Sequence, residues 1–392
     1  MNHFDYLSQE DRRKIFWAPP KPFHRNGDKA FIAHALGATL YMPATRPTIS
    51  RDLMSRKIKG LMSVVLCLED AIGDRQVREA ERALATHLRA LHDASGDDGT
   101  ESPELPFLFV RVREPHQLDR LASLAGSALS VLTGFVFPKF SGSNGWEYFR
   151  RLERINAEGD VPYYAMPILE APDVIYWEKR RDALRKINEI VDAYDRFVLN
   201  LRIGATDFSG LFGLRRGFDV TIYDIQVIRD CMTDIINNFC RADRDHVVSA
   251  PVWEYFHSGE RVLKPLLRST PFQRRYGETG KELRSRLLNR YLDGLIHETL
   301  LDKANGLMGK TVIHPSHIIP VQSMYVVHQE EYTDALSIVE NHGKTGVVKS
   351  LFRNKMNEIK PHTNWARKIL MRSRIYGVFH SDTDFFNLLQ CS

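Results

Sequence analysis

The feature that most constrains the fold of this chain is a recurrence of short apolar, β-branched runs, most of which end in a charged residue. The side chains that follow these runs are Glu69 with Asp70, Arg111 with Arg113, Lys139, Glu170, and Thr206 with Asp207. In a barrel of parallel strands, residues just past the carboxyl ends of the strands meet at one mouth, where the active site lies. A charge at the end of a buried strand is costly unless it is paired, hydrated or bound to a metal. The recurrence therefore predicts that these side chains form a site.

Eight apolar runs alternate with stretches of helical periodicity such as Arg75–His92, which indicates an α/β protein with a parallel sheet. Eight strands also close a (β/α)8 TIM barrel, and this is the predicted fold. A doubly wound open sheet is the alternative, but the turn after the first run, Pro43–Pro47, lacks the glycines that usually follow the first strand of that fold. The candidate strands are 39–43, 61–68, 106–112, 133–138, 161–169, 196–205, 246–250 and 310–314.

Three regions lie outside this alternation. Residues 1–38 predict an N-terminal arm, because the three prolines within Ala18–Pro22 exclude a helix interior or a central strand. The connection between the seventh and eighth strands is too long for a simple crossover and predicts an inserted lid at about 252–300. Residues 347–392 predict a basic, helical C-terminal tail, which leaves 39–346 as the barrel domain.

The composition limits the class of protein. The 392 residues are 43% hydrophobic, as in ordinary globular proteins. The four cysteines form no CxxC pair, so we expect free thiols in a reducing compartment. No apolar run is long enough to predict a membrane span, and the charged N-terminus lacks the apolar stretch of a signal peptide. These features predict a cytoplasmic protein that does not bind membranes.

Two segments concentrate the positive charge. Arg261–Arg290 contains nine lysines and arginines against two glutamates, and Lys344–Arg374 contains nine against one. Such segments suit a polyanion, for example a nucleotide, a CoA tail or a nucleic acid, and they are equally typical of solvated helix faces. Nucleic-acid binding is not favoured, because no regularly spaced aromatic residues support it.

Glu170 and Asp207 are the first candidates for a metal site. Each follows a strongly apolar run, and two carboxylates at neighbouring strand ends can share one Mg²⁺ ion, which binds oxygen ligands from one or two carboxylates, water and substrate. The alternative is that each carboxylate caps the helix that follows it.

Arg111 and Arg113 are candidates for charge recognition. Strand alternation points both to one face, and a guanidinium at a barrel mouth can bind a carboxylate or stabilise an enolate oxygen. Glu69 and Asp70 would orient Arg111 or a metal-bound water. A purely structural ion pair between these groups is the alternative. Four residues are candidates for contact with the substrate. Arg46 follows the first candidate strand, Arg113 the third, Lys139 the fourth and His314 the eighth.

Several motifs, in order along the chain, resemble the citrate lyase β-subunit-like family of the HpcH/HpaI aldolase superfamily. They are Leu40–Pro47 (LYMPATRP), Val65–Ala71 (VLCLEDA), Val110–Arg113 (VRVR), Pro138–Lys139, Gly204–Phe208 (GATDF) and Gly306–Pro315 (GLMGKTVIHP). The resemblance extends from about residue 39 to 340, with an interruption at 252–300. Within it, the chain is most similar to a divergent branch that is associated in bacteria with tellurium-resistance gene clusters.

The resemblance implies a (β/α)8 barrel, Mg²⁺ held by Glu170 and Asp207, and the making or breaking of a carbon–carbon bond beside a carbonyl group. Many members act on CoA thioesters, and trimers or hexamers are usual. The chain departs from the family pattern at Cys67, where the family has Asp, at Thr206, where it has Glu, and in the turn after Glu170. These departures affect the expected thioester pocket more than the cation site.

The resulting hypothesis is a Mg²⁺-dependent carbon–carbon lyase of the aldolase or citrate lyase type. Its substrate would be a small carboxylate or an acyl thioester, cleaved through a metal-stabilised enolate, with Arg111, Glu69 and Asp70 as catalytic residues. The alternative is a barrel that has lost catalysis and serves as a ligand-binding or scaffold protein.

Overall fold

The eight expected strands form a closed parallel barrel. The computed structural model describes residues 1–95, 104–159, 162–244, 246–256, 277 and 290–391. Within them, the barrel strands are β2 (Ala38–Pro43), β3 (Ser63–Cys67), β4 (Phe107–Arg111), β5 (Gly134–Phe137), β6 (Tyr164–Leu169), β7 (Leu201–Ile203), β8 (Val248–Ser249) and β9 (Lys310–Val312).

Neighbouring strands pair in the order β8-β7-β6-β5-β4-β3-β2-β9. A parallel bridge between Ala250 and Lys310 joins the two ends, with the Ala250 N–H donating to Gly309 O at 3.0 Å and the Thr311 N–H donating to Ala250 O at 3.2 Å. The (β/α)8 barrel is therefore confirmed, and the open doubly wound sheet is excluded because that fold has two free edges.

The burial of the strands and helices explains why these apolar runs form the wall of the barrel. β3 and β5 are buried along their whole length, as expected for parallel strands that are covered on both faces. The helix that follows β3, α4 (Val77–Ala94), buries Ala80, Leu84, Leu88 and Leu91, the stripe that its sequence periodicity predicts.

The remaining helices surround the barrel or belong to the terminal regions. They are α1 (Gln9–Ile15), α2 (Lys29–Ala35), α3 (Ile49–Met54), α5 (His116–Ala125), α6 (Gly145–Ala157), α7 (Pro172–Ile175), α8 (Trp177–Ala193), α9 (Ala205–Leu211), α10 (Gln226–Phe239), α11 (Arg290–Ala304), α12 (Ile318–Ser323), α13 (Gln329–Glu340), α14 (Ile359–Tyr376) and α15 (Phe385–Gln390).

The two ends of the chain pack together. β1 (Phe16–Ala18) pairs antiparallel with β12 (Val378–Phe379), and a short hairpin of β10 (Val347–Lys349) and β11 (Met356–Glu358) precedes α14. A second apolar cluster lies where α13 packs on α14, and it includes Ala335, Ile338 and Ala366.

Most of the predicted lid lies outside the described residues. Its described margins pack into the body of the protein, since Trp253 and Glu298 are fully buried. No helix in the described part of the chain is both long and apolar enough to cross a membrane.

Candidate active site

A cavity of about 430 Å³ opens at the carboxyl ends of the barrel strands. Its wall combines acidic, basic and apolar side chains from at least six strands or the loops after them. The polar residues that line it include Tyr41, Cys67, Asp70, Arg111, Glu170, Arg202, Thr206, Asp207 and Thr311. The recurrent charges of the sequence therefore do converge at one mouth, as barrel geometry requires.

Glu170 and Asp207 lie in the same cavity. Glu170 follows the last residue of β6 and is 4% exposed, and its Oε1 accepts a hydrogen bond of 2.9 Å from the Lys139 N–H. Asp207 lies in the first turn of α9 and is 30% exposed. The N-cap positions of α7 and α9 are held by Ala171 and Gly204, so the capping alternative is wrong for both carboxylates.

The close approach of β7 to Glu170 depends on Gly204. A Cβ atom at this position would lie 2.1 Å from Glu170 Oε2 and 2.4 Å from Glu170 Cβ, and such separations are sterically forbidden. Gly204 therefore leaves the space that the Glu170 carboxylate occupies.

Burial is the main cause that raises the pKa of Glu170, and the nearby charge of Asp207 raises it further. A carboxylate that is disfavoured in this way is stabilised by a cation. In the described residues, no group of three or more His, Cys, Asp or Glu side chains surrounds a common point. The pair therefore suits a hard cation that keeps water or substrate oxygens as its other ligands.

Lys139 already brings a positive charge to this site. Its Nζ lies 3.4 Å from Asp207 Oδ1, 2.6 Å from Glu69 Oε1 and 3.7 Å from Asp70 Oδ1. Its backbone has a φ of 48°, in the left-handed region that L-residues seldom adopt outside functional or tight-turn positions. This conformation presents both the N–H and the ammonium of Lys139 to the acidic side of the mouth.

Arg111 is fixed from three sides. Its Nη1 lies 3.1 Å from Glu69 Oε2 and 3.2 Å from Asp70 Oδ2, while Nε and Nη2 donate to Cys67 Sγ at 3.2 and 3.1 Å. Cys67 thus takes the place that a carboxylate would have beside the guanidinium. Burial, together with the hydrogen bond to Asp70, raises the pKa of Glu69. The expected pairing of Glu69 and Asp70 with Arg111 is present, and it holds the guanidinium in one orientation at the cavity wall.

None of the four predicted substrate contacts lines the cavity. Lys139 lies beside it, paired with the lining residues Asp70 and Asp207, whereas the other three side chains are engaged elsewhere. Arg113 lies beyond the end of β4, where strand alternation no longer applies, and its guanidinium binds Leu68 O at 2.9 Å and Asp74 at 2.7 Å. The guanidinium of Arg46 is paired with Asp52 at 2.7 Å. His314 stacks on Phe256 with ring centroids 4.6 Å apart, whereas its neighbour Ile313 faces the cavity. The expectation that Arg111 and Arg113 share a face is therefore wrong, and Arg113 instead holds the loop that carries Glu69.

Two site residues are not predicted from the sequence. Tyr41 on β2 contacts two guanidinium groups, with its ring centroid 5.4 Å from Arg111 Cζ and 5.7 Å from Arg202 Cζ. Arg202 is the central residue of β7 and is 1% exposed. The available signal for Arg202 is its charge in the middle of the apolar run Leu201–Ala205.

A closed (β/α)8 barrel whose acidic and basic side chains converge at the carboxyl ends of its strands defines a barrel enzyme. The chain belongs to the C–C bond lyase family of the TIM-barrel fold, whose family model matches residues 30–378. It is therefore assigned to the carbon–carbon lyases.

Solved structures share the barrel fold of this chain. One is a citrate lyase from Burkholderia xenovorans LB400, with a TM-score of 0.59 and 14% sequence identity over 90% of this chain and 96% of that chain. Another is CitE from Mycobacterium tuberculosis in complex with magnesium, acetoacetate and coenzyme A, with a TM-score of 0.52 and 18% identity over 87% of this chain and 99% of that chain. At these identities the likeness extends to the fold. No curated protein sequence matches the chain significantly.

Proposed function

We propose that this protein is a Mg²⁺-dependent carbon–carbon bond lyase that acts on a small carboxylate substrate. The observation that carries the proposal is the pairing of buried Glu170 with Asp207 in one cavity, where burial and the charge of Asp207 disfavour the ionisation of Glu170. A shared divalent cation would offset that repulsion, and Mg²⁺ prefers oxygen ligands of this kind. The similar M. tuberculosis protein was crystallised with magnesium, which supports the choice of metal.

Glu170 and Asp207 would hold the ion, and Mg²⁺ bound there would supply Lewis-acid polarisation of a substrate carbonyl. The chain supplies the other requirements of the reaction. Cleavage of a carbon–carbon bond beside a carbonyl group leaves an enolate, whose oxygen carries the developing negative charge. Arg111 faces the cavity with its guanidinium already oriented by Cys67, Glu69 and Asp70, and a preorganised donor of this type stabilises such a charge.

Lys139 is the candidate contact for a substrate carboxylate at the rim. Its side chain is 50% exposed, and its ammonium lies between the Glu69–Asp70 pair and Asp207. Arg46, Arg113 and His314 have no place in the proposed substrate site, because their side chains are engaged elsewhere.

The finer assignments belong to the same proposal and rest on the family resemblance. They are an acyl-CoA-like substrate as an alternative to a free carboxylate, a homotrimer or homohexamer, and membership of the tellurium-resistance branch. A cytoplasmic location is proposed separately, from the cysteines that form no CxxC pair. The CoA bound to the M. tuberculosis protein supports testing thioesters together with free acids.

Calorimetric titration of Mg²⁺ tests the proposal directly. Wild-type protein should bind Mg²⁺, and Asp207→Asn and Glu170→Gln should each weaken binding by at least about tenfold, in line with the loss of one charged ligand. Asp74→Asn is the matched control, since this carboxylate pairs with Arg113 outside the cavity. Unchanged Mg²⁺ affinity in both site variants would refute the ligand assignment.

A cleavage assay with 2-oxo acids, hydroxy acids and acyl-CoA thioesters tests the reaction. Turnover should require Mg²⁺ and fall by at least about 10³-fold in Asp207→Asn, because an electrostatic contribution of this kind dominates such reactions. Ligand binding without turnover on every substrate would favour the alternative of a barrel that only binds its ligand.

A further inference from the structure

Arg202 points into the interior of the barrel. It lies at the centre of β7, and its guanidinium contacts residues of three other strands. Nη2 donates to Thr311 Oγ1 of β9 at 2.7 Å, while Nη1 lies 3.5 Å from Thr39 Oγ1 of β2 and 3.8 Å from Met166 Sδ of β6. Barrel interiors are normally filled by branched apolar side chains, so an arginine in this position requires an explanation.

The charge of Arg202 has no partner of opposite sign in the described part of the chain. No carboxylate oxygen of the described residues lies within 4.0 Å of its guanidinium nitrogens. Its hydrogen-bond partners are the hydroxyl groups of Thr39, Thr311 and Tyr41 and the thioether of Met166. Its Nε is buried and has no hydrogen-bond partner. Burial lowers the pKa of Arg202, which expresses the cost of holding this charge without an anion.

In the described part of the chain, the other buried lysine and arginine side chains are neutralised. Lys310 lies 2.9 Å from Glu298 and 2.7 Å from Asp302, and Arg216 is paired with Glu254 and Glu298. Arg202 therefore differs from the structural cations in having an unused donor and an uncompensated charge.

Arg202 borders the active-site cavity, although only 1% of its surface is exposed. Arg202 lines the cavity that also contains Glu170, Asp207 and Arg111, and it lies two residues before Gly204, on the inner side of the metal-binding pair. The Tyr41 ring lies against both Arg202 and Arg111. A ligand that enters the mouth can therefore reach Arg202 after it has passed the two carboxylates.

We infer that Arg202 forms an anion subsite at the inner end of the cavity and binds a carboxylate at the far end of the substrate. A substrate held at Glu170 and Asp207 through one carboxylate would place its second carboxylate against the Arg202 guanidinium. The substrate class is then a dicarboxylate. The inference concerns the substrate of the proposed lyase and rests on that function for its catalytic meaning, but anion binding at Arg202 does not depend on the metal.

Binding of 2-oxoglutarate and 2-oxobutyrate tests the inference, because these stable acids differ only in the distal carboxylate. Isothermal titration is carried out with Mg²⁺ and again with EDTA. Wild-type protein should bind 2-oxoglutarate at least about tenfold more tightly than 2-oxobutyrate, as expected for a charge-assisted hydrogen bond in a buried site. Arg202→Met should reduce this preference to less than about twofold and leave 2-oxobutyrate affinity nearly unchanged.

Arg113→Met is the matched control, since Arg113 is a cation near the mouth whose side chain lies outside the cavity. It should keep the wild-type preference. Equal affinity of wild-type protein for the two acids, an unchanged preference in Arg202→Met, or an equal loss for both acids in that variant would each overturn the inference.

Arg202→Gln keeps the test decisive if the methionine variant does not fold. Glutamine keeps hydrogen-bond donors but carries no charge, so we expect the preference to fall below about twofold, and a full wild-type preference would overturn the inference. The Mg²⁺ and EDTA arms separate this inference from the proposed function. If the preference depends on Arg202 while Mg²⁺ leaves the affinity for both acids unchanged, the metal proposal alone is contradicted. If Mg²⁺ raises the affinity for both acids but Arg202→Met leaves the preference unchanged, the anion subsite alone is contradicted.

Discussion

Two buried groups of charge, one around Lys310 of β9 and the other at Arg202 of β7, differ in one respect. The first, which we call the Lys310 network, joins Lys310 at the start of β9 to Glu298 and Asp302 of α11, and joins Glu298 to Arg216. The second is Arg202, which lies inside the barrel among neutral acceptors. Both are shielded from water, but only the first is balanced by acidic groups.

The difference separates charges that stabilise the fold from a charge that is available to a ligand. In the Lys310 network, Tyr223 also donates to Asp302 at 2.8 Å, and the Ile222 N–H donates to Glu298 at 2.8 Å. Nearly every hydrogen-bonding group is thus used to connect α11 to the barrel. A buried ion network whose donors and acceptors are nearly all paired is stable without a ligand. An unpaired buried cation, in contrast, is most stable when an anion binds to it.

Removal of Lys310 should have the largest effect on stability. Lys310→Met leaves Asp302 buried without its cation and removes one partner of Glu298, so we expect a loss of about 3–5 kcal/mol in the free energy of unfolding. Arg202→Met should cause no comparable loss, because it removes an uncompensated charge. Denaturant unfolding of both variants measures the contrast.

A second substitution checks the cause of that loss. Lys310→Met with Asp302→Asn removes both charges of the pair, so part of the lost stability should return. Equal destabilisation by Lys310→Met and Arg202→Met would remove the distinction between the two regions.

Gly204→Ala should have the next largest effect and acts at the mouth. The new Cβ would overlap Glu170 Oε2, and overpacking of this kind costs about 1–3 kcal/mol. Because Glu170 must move, Mg²⁺ affinity should fall together with stability. Thermal unfolding and Mg²⁺ titration of the same preparation test this, with Gly210→Ala as the control, since a Cβ at Gly210 meets nothing within 4 Å. Normal Mg²⁺ affinity in Gly204→Ala would argue against Glu170 as a ligand.

Much of the fold follows from local sequence pattern. Eight apolar runs and the intervening helical periodicity suffice for the barrel, because each strand is buried on both faces and its boundaries coincide with turns and charges. Glu170, Asp207 and Arg111 can be placed in one cavity in the same way, because each lies at or just after the carboxyl end of a strand and these ends meet at one mouth of the barrel.

The rest of the site depends on where side chains point after a strand ends. Arg113 lies only two residues beyond Arg111, yet it turns to the Leu68 carbonyl and Asp74. Arg202, in contrast, lines the cavity but is not predicted, because hydrophobic periodicity leads one to expect an apolar residue in the middle of a buried strand. Ion pairing also depends on the tertiary structure. The absence of a carboxylate partner for Arg202 among the described residues can be recognised only when its neighbours from β2, β6 and β9 are known.

The stability of the metal-free protein should depend on pH through Glu170. The folded state holds the Glu170 proton more tightly than the unfolded chain, because burial and Asp207 raise its pKa from 4.5 to about 8. The contribution of this group is therefore complete below pH 4.5 and declines as the pH rises towards 8. One proton limits the slope to about 1.4 kcal/mol per pH unit.

Unfolding measured across this pH range in EDTA tests the prediction. Glu170→Gln should remove this component of the slope. In the wild-type protein, Mg²⁺ should restore stability mainly at the upper end of the range, where Glu170 is ionised. A wild-type slope that Glu170→Gln leaves unchanged would assign the pH dependence to other groups.

Lys139→Asn should produce the smallest change, and its sign is informative. Asparagine tolerates the left-handed backbone at this position but lacks the ammonium that lies 3.4 Å from Asp207. Because a half-exposed ammonium repels a cation bound at Glu170 and Asp207, its removal should increase Mg²⁺ affinity by about 1 kcal/mol, the Coulomb term for unit charges near 4 Å in water. Binding of 2-oxobutyrate should weaken at the same time if Lys139 contacts the substrate carboxylate. Calorimetry with each ligand separates the two effects. A decrease in Mg²⁺ affinity would instead show that Lys139 supports the Glu170–Asp207 pair by holding Glu69 and Asp70 away from it.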